Sequence, residues 1–98
     1  LTSVALGTLS ELVQEALALM LEKVNEEMAI TEIKLKSIAE RFGLKDWREL
    51  ERIFHEEGLD NPEIDLLYPE YLYLKDKLES LKRRKEELLR ALSEGRSL

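Results

Sequence analysis

Residues 38–54 read IAERFGLKDWRELERIF, and the way this stretch turns decides the fold. Its first half places Ile38, Ala39 and Phe42 at helical spacing and then meets Gly43, the residue type that most readily takes the left-handed conformation ending a helix. Its second half restarts three residues later. Asp46 is a good N-cap, and Glu49 three places on completes the pattern of a capping box. The stretch therefore reads as helix, tight corner, helix, with the second helix running to a stop at Gly58. In that reading Leu59 follows the stop and touches Phe54.

Working back from the corner, the chain holds no Pro and only Gly7 before Gly43. TLSE at 8–11 has the form of a second capping box, with Thr8 as the N-cap. From Leu9 the apolar residues recur at 13, 16, 17, 20, 24 and 28, then at 35, 38 and 42, the period of a helix. A long first helix from about residue 9 to 42 follows, with a bend or break at MAIT (28–31), where Thr31 is able to cap a second segment. Working forward, DNPE at 60–63 sets Pro62 at the first position of a short helix or turn. Pro69 marks a further boundary, because the residue before a proline is pushed out of helical geometry. Beyond it Tyr71, Leu74, Leu78, Leu81, Lys85, Leu88 and Leu92 step alternately by three and four, a heptad seam with one lysine in it. Gly95 ends the order.

The expected fold is all-α. A long first helix, a short second helix and a heptad-patterned C-terminal helix form an antiparallel hairpin or bundle, with residues 1–30 as a helical arm for oligomerisation or docking and 31–98 as the hairpin domain. A 98-residue chain buries a modest share of its surface, so association is a common remedy. Between residues 9 and 24 the apolar stripe is wider than one helix can cover, which predicts a dimer. The residues expected at an oligomer or partner interface are Leu9, Leu12, Val13, Leu17, Met20, Leu21 and Val24 from the first helix, with Tyr71, Tyr73 and Lys85 from the last. Lys85 costs stability in the seam and sets register or partner number. Tyr68 and Tyr71 share a side and Tyr73 points elsewhere, so either they pack on Phe42, Trp47 and Phe54 or they anchor a partner.

Charge narrows the partner. The formal net charge is −6, and it is uneven: the first 32 residues carry Glu11, Glu15, Glu22, Glu26, Glu27 and Glu32 against Lys23 alone. The basic KRRK at 82–85 is matched by Glu79, Glu86 and Glu87 at helical spacing. An acidic surface attracts basic proteins and repels phosphate backbones, so nucleic acid is not the expected partner. Chemistry is scarce. There is no cysteine and one histidine, His55, whose only companion a turn back is Glu51, too few ligands for a metal. No serine has a reason to meet that histidine, and no glycine loop cradles phosphate. Neither an enzyme, nor a cofactor, nor a metal is expected. The most apolar run, residues 12–21, is too short to span a bilayer and has no signal-peptide flanks, so a cytoplasmic chain is expected. Few Asn and Gln beside many Glu, Lys and Arg lean toward a thermophilic source.

Three resemblances bear on function. Ile38, Ala39, Phe42, Gly43 and Leu44 look like the first helix and turn of helix-turn-helix regulators, which implies DNA reading by the helix after the corner. There the apolar residue that pattern wants, six after the glycine, is Glu49, with Leu50 one place late. TLSELVQEALALMLEK at 8–23 resembles the second helix of ribbon-helix-helix proteins through Thr8, Ser10, Glu11, Val13, Ala16 and Leu17, which implies dimerisation. As a whole, the first helix, the corner, DLLYPEYLYL at 65–74 and the heptad tail resemble the small helical antitoxins of archaeal toxin–antitoxin pairs. That resemblance implies a non-enzymatic chain that wraps and blocks a small basic toxin, often a ribonuclease. The alternatives are a helix-turn-helix regulator and a purely structural homo-oligomer.

Overall fold

Gly43 ends the first helix in the left-handed conformation, with φ +69°. Around it the Leu44 N–H donates to the Ala39 carbonyl at 3.0 Å and the Gly43 N–H to Glu40 at 3.1 Å. These are the two bonds of a Schellman end, and they satisfy carbonyls that the helix terminus would otherwise orphan. Asp46 is extended, and its carboxylate accepts the Arg48 N–H at 3.0 Å. The chain re-enters helix through a 3-10 turn at Trp47–Glu49, so the second α-helix starts later than a capping box at Asp46 implies.

The computed structural model describes residues 2–57 and 61–97, with the side chains of 7–56 and 61–95. Every regular element among them is helical: α1 (Thr2–Arg41), the 3-10 turn, α2 (Leu50–Glu57) and α3 (Pro62–Ser97). The expected Gly58 stop and Leu59–Phe54 contact lie outside the described residues.

Four expectations are corrected. α1 begins at Thr2, so Thr8 is within the helix and is not its N-cap. One glycine, at Gly7, costs a helix only about 1 kcal/mol, which its helix-forming neighbours absorb. No break occurs at 28–31; Thr31 is a fully buried helical residue. Pro69 does not bound α3 but sits inside it. The proline removes one backbone bond at a cost of about 3 kcal/mol. Ile64, Leu67, Tyr71 and Leu74 are all buried on either side of it, and each contributes roughly 1.5–3 kcal/mol, so packing outweighs the lost bond. Gly95, too, is helical. At the start of α3 the expected chemistry holds: Pro62 is the first helical residue, and the Asn61 side chain accepts the Glu63 N–H at 3.0 Å.

The chain divides into two compact units, residues 1–28 with 81–98 and residues 29–80. In the first, Val24, Leu81 and Leu88 form a buried cluster, flanked by Leu17, Leu21 and Met28. Gly95 lies against Gln14 so closely that a Cβ would fall on the Gln14 amide, which accounts for a glycine in a helix. In the second, Leu35, Ile38, Ala39, Leu50, Phe54, Ile64, Leu67, Tyr71, Leu74 and Leu78 make the core. Phe54 is its hub, with ring contacts to Phe42 (5.9 Å), Tyr68 (5.3 Å) and Tyr71 (5.1 Å). No buried side-chain polar atom among the described residues lacks a partner.

Candidate interaction surface

The buried row of α1 runs through Leu17, Leu21, Val24, Met28, Thr31, Leu35 and Ile38, alternate steps of four and three. Leu9, Val13, Ala16 and Met20, which share the apolar periodicity, lie outside that row. At 100° per residue, Leu9, Leu12, Val13, Ala16, Leu19 and Met20 fall within an arc of about 120° beside it. All six are exposed, and the five large ones are 41–65% accessible. Along the far border stand Glu11, Glu15, Glu22 and Glu26, all exposed, spaced so that they line one edge of the stripe. Lys23 closes the stripe at its C-terminal end. An apolar face of this kind is what the surface of an isolated monomer rarely keeps.

The expected interface residues separate into groups. Leu9, Leu12, Val13 and Met20 line the exposed stripe. Leu17 and Leu21 are half-buried against the first unit's core. Val24 and Tyr71 are buried within their own units. Tyr73 is 63% exposed on α3, and Lys85 is half-buried between the buried Leu81 and Leu88. Leu19 belongs to the stripe although only its place in the ten-residue apolar run pointed to it. The steps Leu12, Ala16, Leu19 carry the signal, a second three-and-four spacing outside the first.

Comparison with protein families, with characterised proteins and with solved structures finds no match for this chain.

At the corner, the bases that a groove-reading helix would aim at phosphates are engaged within the chain. Arg48 meets Asp46 at 3.2 Å and lies 5.0 Å over the Trp47 ring; Arg52 meets Glu56 at 3.7 Å. Leu50, rather than residue 49, fills the core. The Arg48 backbone N–H, reinforced by its guanidinium, holds the Asp46 carboxyl below its usual range. Lys75 bonds Glu51 at 3.2 Å, which raises its ammonium pKa. Burial, and then the nearby Glu51 charge, push the Tyr71 phenol up. His55 is exposed. Among the described residues no group of three or more His, Cys, Asp and Glu could hold a metal ion, and no helix is long and apolar enough to cross a membrane.

Proposed function

We propose that this chain is a protein-binding module of antitoxin type, which seats part of a small basic protein on the exposed stripe of α1. The single observation that carries the reading is the stripe of Leu9, Leu12, Val13, Ala16, Leu19 and Met20 with its border of Glu11, Glu15, Glu22 and Glu26. The apolar arc supplies affinity, and the acid row selects and steers a cationic rim. In this reading α1 and α3 form an antiparallel helical hairpin. The contacts of Gln14 with Gly95, and of Val24 with Leu81 and Leu88, support it. A second copy is a poorer occupant of the stripe, because an antiparallel pairing of two such faces sets one acid row against another. The paired arginines of the corner favour this reading over DNA binding, since phosphate contacts need free cations.

The test is capture with the tagged chain from its source cells, followed by mass spectrometry of what is retained. A near-stoichiometric basic protein, released by salt and lost when Glu11, Glu15 and Glu22 are changed to Lys, is the expected result. Retention of the chain's own copies alone, in a complex insensitive to those changes, would sink the neutraliser reading and leave a structural homo-oligomer.

A further inference from the structure

The second unit carries a groove of about 480 Å³ that the stripe on α1 does not use. One wall comes from α1, where Ala29, Ile33 and Lys36 follow one another at i, i+4 and i+7 and so share a face. The small Ala29 leaves room, and Ile33 is 66% exposed. The other wall is the corner. The Gly43 turn and the Asp46 cap bring Lys45 and Trp47 to the groove. Trp47 is half-buried, 6.5 Å from Tyr71 by ring centroids, with the Arg48 guanidinium over its ring.

The charges of the lining decide what fits. Asp46 and Arg48 neutralise each other at 3.2 Å. Lys36 and Lys45 have no carboxylate within 4.0 Å among the described residues, and Glu32 is the one remaining acid of the groove. In a chain of net charge −6 this is a locally cationic cleft with an aliphatic and indole lining. A free inorganic anion would leave Ile33 and Trp47 uncovered. A nucleic acid would bring a row of phosphates to only two lysines, where phosphate-binding surfaces use many. An apolar side chain flanked by carboxylates uses both parts, and the volume is within the range of sites that bury small ligands or a few residues.

We propose that this groove binds a short acidic segment of another protein, with a leucine-sized side chain lodged against Ile33 and Trp47 and carboxylates on Lys36 and Lys45. The proposal stands apart from the stripe on α1, which selects the opposite charge. Trp47 is the only tryptophan of the chain, so its emission reports the groove directly. The full chain is titrated with a capped five-residue peptide alternating glutamate and leucine, with its glutamine counterpart, and with a single-stranded oligonucleotide. The expected result is a saturable shift of Trp47 emission with the glutamate peptide, about tenfold weaker for the glutamine peptide, a difference of about 1.4 kcal/mol. Lys36→Glu or Lys45→Glu should weaken it by a similar factor. Both lysines are exposed, and unchanged helicity by circular dichroism verifies each variant. No saturable shift, equal binding of the glutamine peptide, or indifference to both reversals would overturn the proposal. Tighter binding of the oligonucleotide would overturn it in favour of phosphate. A shift that appears with protein concentration alone would overturn it in favour of a second copy.

Discussion

Asp46 does two things with one carboxylate: it caps the 3-10 turn through the Arg48 N–H and neutralises the Arg48 side chain. Both favour its charged form, so its pKa is lower in the folded chain than in the unfolded one. The sign of the pH effect follows. The contribution is present above the unfolded carboxylate range and is lost as pH falls through the depressed folded value. Asp46→Asn keeps a cap but removes the titration. Relative to this variant, the native chain should lose stability between about pH 4 and the acid limit and hold a constant difference from pH 5 to 8. Urea midpoints of the two proteins across that range measure it, and parallel curves would mean that the carboxylate is not shifted by folding. Asp46 and Gly43 were both legible in the sequence, because each acts through its own backbone and its immediate neighbours. Thr8 was not. Its capping pattern is local, yet the six residues before it also form helix, and a cap requires the chain to leave helical geometry at that point.

Among the elements, α3 departs most from what local rules dictate. Pro69 and the restricted residue before it argue for a boundary, yet the helix runs from Pro62 to Ser97. The seam from Tyr71 to Leu92 was plain in the sequence, and each of its residues is buried except Lys85, which is half-buried. The extension upstream was not plain, because it depends on the burial of Ile64 and Leu67 and on Tyr68 and Tyr71 meeting Phe54, a residue of another helix. Tertiary burial thus holds a helix through a residue that breaks isolated ones. Pro69→Ala should restore the missing backbone bond and stabilise the chain by about 2 kcal/mol, after allowing for the freer unfolded state. For a chain of this size that is a rise of roughly 10 °C in thermal midpoint. An unchanged or lowered midpoint would show that α3 gains more from the ring of Pro69 than it loses in hydrogen bonding.

On the scale of the molecule, α1 carries two apolar rows where one would suffice for packing. Their combined width was legible in the sequence, but not where one row ends and the other begins. Leu17, Leu21 and Val24 differ from Leu12, Val13 and Met20 only in angle, and that angle has meaning only once the residues of α3 are against it. Substitution separates the two rows. Leu21→Ala together with Val24→Ala opens space beside Leu81 and Leu88 and should cost about 3–5 kcal/mol, enough to unfold much of a small domain. Leu12→Gln together with Leu19→Gln also removes apolar surface but takes none of it from the core. That pair should leave the unfolding free energy of the isolated chain within about 0.5 kcal/mol of the native value while abolishing retention of the basic partner proposed for the stripe. Chemical denaturation and the capture assay, run on the same two proteins, read the rows independently. A stripe variant that loses stability and keeps its partner would reverse the assignment, making Leu12 and Leu19 part of the fold and sending the search for the docking face to Tyr73 and Leu66 on α3, both exposed.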